Sequence, residues 1–141
     1  MKIDGEEIQA GECKQIKLDI ARLPSGTEIE IPIFVSRGKT PGPTLLLMAG
    51  LHGDEINSVD VVRKFLHDKS HMVDSGTVIC IPVLNIFGFI NYSREVPDGK
   101  DVNRSFPGSS KGSLASLVAY HLTQQVLPYC DYIIDLSLIH I

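Results

Sequence analysis

The sequence predicts an α/β domain, a mixed and mostly parallel sheet flanked by helices. Two apolar runs without alternation, Thr44–Ala49 and Thr77–Pro82, bracket a segment with helical spacing. Strand, helix and strand in that order make a βαβ unit, whose crossover is right-handed in nearly all proteins. A second helical segment then leads to a third apolar run, Tyr132–Leu136. Ahead of all three, two alternating segments read as an antiparallel hairpin.

Each element has a local reason. Ile16, Leu18 and Ile20 fall at a period of two within residues 15–22, so this strand covers one face. Pro24-Ser25-Gly26-Thr27 is a turn signal. Glu28 to Val35 alternates again, and Pro32 places that strand at an edge or a bulge because proline lacks a ladder donor. Gly38 to Pro43 reads as a loop. Thr44–Ala49 reads as a central strand covered on both faces.

Asn57 or Ser58 caps the first helix, with Asp60 in its first turn. Its buried stripe is Val59, Val62 and Leu66, widened by Val61 and Phe65, and it ends near Asp68. Met72 to Gly76 is a loop. Residues 85–110 show no steady period, and their aromatic content argues against disorder. Ser113 caps a second helix carrying Leu114, Leu117, Val118, Leu122 and Val126, which Pro128 stops. Tyr132–Leu136 reads as a third buried strand.

Bulk properties narrow the function. A chain of 141 residues holds one domain with a real core. The net charge of −4 argues against a general nucleic-acid binder, which carries a basic face. The N-terminus is acidic and lacks the apolar core of a signal peptide. The longest apolar stretch, Val78 to Ile90, is broken by Pro82, Asn85 and Gly88 and is too short to span a bilayer. Cys13, Cys80 and Cys130 are far apart and odd in number, which suits a reducing compartment. A cytoplasmic protein with no nucleic-acid or membrane partner is the expectation. With no Cys-x-x-Cys, a thiolate zinc site is not expected.

The stretch Gly50-Leu51-His52-Gly53-Asp54-Glu55 sits where a buried strand gives way to a helix, and ligands of open α/β sheets bind at such strand ends. His52 and Glu55 are three residues apart. In a turn they reach one metal ion, and imidazole and carboxylate are both ordinary zinc ligands. The plain alternative is a Gly-Asp turn flanked by two solvated side chains. A second polar segment lies far along the chain: Ser93-Arg94-Glu95-Val96-Pro97-Asp98-Gly99-Lys100-Asp101-Val102-Asn103-Arg104-Ser105-Phe106-Pro107-Gly108. Its arginines offer planar forks that pair bidentately with carboxylates. Read by charge alone, they are solvated loop cations.

Taken together, the two segments resemble the succinylglutamate desuccinylase/aspartoacylase family, zinc amidohydrolases related to the metallocarboxypeptidases. The resemblance runs from about residue 15 to residue 136. It implies a zinc-carboxypeptidase-like fold and one zinc ion, with His52 and Glu55 as its first two ligands. It implies a substrate clamp of Arg94, Asn103 and Arg104 for a small acyl amino acid, Arg94 also steadying the oxyanion. Asp101 becomes the partner that orients an arginine or the zinc-bound imidazole. The implied reaction is metal-assisted hydrolysis of the amide or ester bond of an N-acyl amino acid. A carboxypeptidase-like peptidase on the same scaffold is the alternative, because fold does not fix substrate. His67, His71 and His121 receive no functional reading.

The sequence departs from the family in two places. The family follows its third strand at once with a third zinc ligand, a His; here that position is Ser137, and a neutral hydroxyl is a poor zinc ligand. His140 comes three positions late as a weak substitute. The family's catalytic carboxylate and its β-rich distal domain lie beyond this point, and no Asp or Glu follows Asp135. The chain therefore reads as the N-terminal part of one zinc-hydrolase domain with an aberrant tail at 137–141, a truncated product. A further alternative follows, a catalytically dead fragment that retains zinc weakly and aggregates or oligomerises through an exposed sheet edge.

Overall fold

The computed structural model describes residues 1–137. A two-strand ribbon, β1 (Lys2–Ile3) and β2 (Glu6–Glu7), precedes β3 (Cys13–Arg22), β4 (Glu28–Arg37) and β5 (Thr40–Ala49). There follow α1 (Ile56–His67), β6 (Ser75–Ile81), α2 (Ile86–Asn91), α3 (Leu114–His121) and β7 (Tyr132–Leu136). Among the described residues the main sheet has five strands in the order β3-β4-β6-β5-β7. β3 pairs with β4, and β4 with β6, antiparallel; β6 with β5, and β5 with β7, parallel. The expected hairpin and βαβ unit are both present.

Side chains two apart on a strand share a face, and the core divides accordingly. One face carries Ile16, Leu18, Ile31, Ile33, Leu46, Met48, Ile79 and Ile81, packed with Ala115, Val118 and Leu122. The other carries Leu47, Ala49, Val78 and Cys80 under Val59 and Val62 of α1. β5 and β6 contribute to both, which is why their runs do not alternate.

Several expectations need correction. β5 begins at Thr40, so the Pro41-Gly42-Pro43 segment enters the sheet, with a register shift between Thr40 and Thr44. β4 is an interior strand. Pro32 is tolerated because the β6 ladder begins two residues later at Phe34, and the irregularity falls between Asp19 and Ala21 of β3. Glu55 occupies the N-cap position of α1 without a side-chain capping bond, while Ser58 lies inside the helix and its Oγ donates to the Glu55 carbonyl at 2.6 Å. Val61 is 49% exposed and outside the buried stripe. His71, in the turn after α1, is buried with its Nε2 3.5 Å from Cys13 Sγ.

Ser113 caps α3 as expected, its hydroxyl accepting from the Ser116 N–H. The helix continues as a π-wound turn over Leu122–Val126 and a 3-10 turn over Leu127–Tyr129. β7 is a strand but not a buried one: Tyr132, Ile133 and Ile134 are 64%, 51% and 44% exposed. An apolar run specifies extended structure, whereas burial depends on neighbours, and among the described residues β7 has only β5 beside it.

Candidate active site

The site is built where the chain leaves β5. Gly50 adopts a φ of +61°, a conformation glycine reaches without strain. Gly53 is required for a different reason: a Cβ there would lie 1.7 Å from the Gly88 carbonyl carbon. The turn therefore lies directly on α2, and the Gly53 N–H donates to the Ser93 carbonyl at 3.0 Å. After β6 the chain runs beside the same strand end, with the Leu84 N–H on the Ala49 carbonyl and the Asn85 N–H on the Gly50 carbonyl.

Asn85 fixes the second polar segment. Its side chain, 1% exposed, accepts from the Gly88 N–H at 2.8 Å and donates to the Arg94 carbonyl at 3.2 Å. Thus His52 and Arg94, forty-two positions apart, are anchored to one short helix.

Their side chains meet at Asp101. The carboxylate places Oδ1 3.2 Å from His52 Nε2 and accepts the Asn103 backbone N–H at 2.8 Å. Its Oδ2 accepts from Arg94 Nε at 3.0 Å and Nη2 at 2.9 Å. Arg104 Nε stands 3.8 Å from the same oxygen with its side chain 86% exposed. Asn103 is exposed, and it is its backbone that bonds Asp101. Burial opposes charge on Asp101, but the Asn103 N–H, the Arg94 side chain and the His52 and Arg94 charges outweigh it, holding the carboxyl below its ordinary value.

His52 and Glu55 are 4% and 2% exposed, so solvation does not explain them. His52 Nδ1 lies 2.8 Å from Glu55 Oε1, which also accepts the Ser137 hydroxyl at 2.6 Å. Glu55 Oε2 is buried with no partner among the described residues. With Nε2 on Asp101, the imidazole sets Nδ1 across the 2.8 Å gap from Glu55, a gap that a ring proton closes when His52 is charged and a metal ion closes when it is neutral. Two electron-rich atoms at that distance require a proton or a cation between them. The donor pair and the orphaned oxygen fit a metal ion. Among the described residues no group of three or more His, Cys, Asp or Glu side chains is placed to hold one.

Asp135 lies in β7 as the sequence suggested; desolvation and the Glu55 carboxylate push its carboxyl up, and His52 offsets this in part. Sequence reasoning missed one contributor. Asn85 was read as a loop residue, although an Asn three residues before a Gly at the start of a short helix is a capping signal. His140 lies outside the described residues.

The family described as Succinylglutamate desuccinylase/Aspartoacylase catalytic domain matches residues 41–137. The chain belongs to that family. It is 37% identical over 111 residues to the N-alpha-acetyl-L-2,4-diaminobutyric acid deacetylase of Halomonas elongata, covering 77% of this chain and 32% of that protein. An aspartoacylase family protein from Mesorhizobium loti superposes with a TM-score of 0.82 at 28% identity, covering 92% of this chain and 41% of the other. A succinylglutamate desuccinylase/aspartoacylase from Rhodobacter sphaeroides gives 0.79 at 29% identity, with coverages of 97% and 44%. The zinc-carboxypeptidase-like architecture expected for the family is thus present. The chain spans about a third of the curated relative and about two fifths of the solved structures. Among the described residues no helix is long and apolar enough to cross a membrane.

Proposed function

We propose that this chain supplies the metal-ligand pair and part of the substrate clamp of a zinc-dependent deacylase acting on the amide or ester bond of a small N-acyl amino acid. The observation that carries the reading is the orphaned, buried Glu55 Oε2 beside a His52 whose far nitrogen and whose neighbour Arg94 are tied to one carboxylate, Asp101. His52 Nδ1 and Glu55 would hold the ion. Bound zinc supplies Lewis acidity toward a carbonyl and acidifies water.

The other roles belong to the chain itself. Asp101 fixes the imidazole ring and orients it, as carboxylates beside metal-bound histidines do. It also holds Arg94 within 3.4 Å of His52 Nδ1, where the guanidinium meets negative charge that develops at the carbonyl oxygen. Arg104 extends into solvent at the mouth, placed to meet a substrate carboxylate with its fork. The Halomonas relative is a deacetylase of an N-acetylated amino acid, which supports this substrate class over a C-terminal peptide. Three free thiols suit the reducing, cytoplasmic compartment that goes with the reading.

A second reading also rests on a specific observation. Ser137 Oγ occupies Glu55 Oε1, and two protein donors leave a metal exchangeable. In that reading the chain as it stands binds zinc weakly and is catalytically inert. Turnover of N-acetyl amino acids against C-terminal peptides, measured together with zinc content, separates the readings. In an active form Arg104→Ala weakens substrate binding and turnover with zinc unchanged; loss of zinc would show that Arg104 has another role.

A further inference from the structure

A cavity of about 320 Å³ opens at the other end of the parallel strands, away from His52. From Thr44 to Gly50 is roughly 20 Å along the strand at 3.3 Å per residue. One row of side chains forms its floor. Arg37 of β4 stands opposite Thr77 of β6, and Thr77 opposite Thr44 of β5. All three lie on the sheet face that carries Leu46 and Ile79 two residues further on.

The row has unused hydrogen-bonding capacity. Thr44 and Thr77 are each 7% exposed and both line the cavity, so the little surface they keep faces it. A hydroxyl that opens into a cavity is free to donate to whatever occupies it. Arg37 donates once through Nη1, to the Ile8 carbonyl at 2.8 Å, and forms no ion pair among the described residues. Lys39 stands at the rim, and Tyr129 forms a wall, its hydroxyl donating to the Lys2 carbonyl at 2.6 Å. The lining contains no Asp or Glu. Asp131, which approaches Thr44, already accepts that residue's backbone N–H at 2.8 Å.

We propose that this row is a second ligand site, one that binds a small anion, a carboxylate or a phosphate, through the Arg37 guanidinium and the Thr44 and Thr77 hydroxyls. A guanidinium fork with two flanking hydroxyl donors matches the oxygens of either group. The volume lies at the low end of the roughly 300–1,000 Å³ that small-molecule sites occupy, so the guest is small. The site is independent of the metal reading, since it shares no residue with it.

The test is a residue-resolved NMR titration of the 141-residue chain with sodium propionate, with the neutral isostere propionamide and with inorganic phosphate. Saturable shifts at Arg37, Gly76 and Thr77 with either anion, and none with propionamide, are expected. Propionate alone would narrow the site to carboxylates; phosphate alone would narrow it to phosphates. Thr77→Val keeps the β-branched shape and removes the donor, so it should weaken anion binding about tenfold, as loss of a hydrogen bond to a charged group does. Removing a hydroxyl that opens into the cavity is not expected to unfold the chain, and an unchanged amide spectrum far from the cavity confirms that. Thr44→Val provides the same readout if Thr77→Val fails to fold. Shifts equal with propionamide, shifts confined to Arg94 and Arg104, or an affinity unchanged in both variants would overturn the proposal.

Discussion

The two ends of β5 carry polar side chains of opposite character. At the carboxyl end Glu55 and Asp101 flank one buried imidazole, with Arg94 tied to Asp101. At the amino end Arg37 and Lys39 line a cavity without a carboxylate. The same three central strands support both ends, so backbone geometry does not decide that character. The side chains carried just beyond the strands do. At one end a buried carboxylate oxygen has no partner among the described residues; at the other, a guanidinium and two hydroxyls face a cavity whose lining holds no carboxylate. Substitutions at one end that leave the other intact measure whether the two are separate.

The largest effect is expected at Gly53. Gly53→Ala drives a Cβ into the Gly88 backbone, which cannot rotate away. The turn must lift from α2, at a cost of about 3 kcal/mol in the manner of a severe overpacking change. Urea denaturation reads the loss, and zinc binding should fall with it while the Thr77 row still responds to propionate. Retention of full stability would mean that the turn and α2 are not in contact.

Next comes Asp101. Asp101→Asn keeps the shape but loses the charge that links His52 and Arg94, and zinc affinity should drop about tenfold, the low end for groups that orient a metal-bound imidazole. Equilibrium competition with a zinc chelator measures it. Propionate binding at the opposite end should not change.

A smaller effect separates the two faces of α1. Val62, fully buried, should cost about 2 kcal/mol as Val62→Ala, counting transfer and cavity terms. Val61, 49% exposed, should cost less than about 0.5 kcal/mol in the same substitution. Equal losses in chemical denaturation would contradict the assigned stripe.

The smallest effect is pH-dependent. The folded Asp101 carboxyl titrates below its ordinary value of 3.8. Its stabilisation is complete above that value and disappears as pH falls through the lower, folded one. The stability gap between the wild type and Asp101→Asn should therefore narrow only below about pH 3.8. A gap that narrows between pH 7 and 5 would point to another group.

These contrasts also show what a sequence makes legible. The hairpin, the βαβ unit and the Ser113 cap were readable because local periodicity and capping chemistry act within a few residues. His52 and Glu55 were readable because they share one turn. The pairing of Asp101 with an arginine and the imidazole was expected only through the family resemblance; local pattern does not show it, because Asn85 and the Gly53–Gly88 approach bring the two segments together from a distance. The Arg37–Thr77–Thr44 row was invisible: it exists only once three strands adopt one register. The exposure of β7 was invisible for the same reason, since an apolar run does not state which neighbours will cover it.

The metal reading requires His52 and Glu55 to act as one pair of ligands. Zinc titration of the chain against a weak chelator, in parallel with Glu55→Gln, tests it most directly. The expected result is one saturable equivalent in the wild type, released by dialysis against a mild chelator and weakened at least about tenfold in Glu55→Gln, as removal of one of two ligands requires. Zinc binding of equal strength in both proteins would mean that Glu55 is not a ligand.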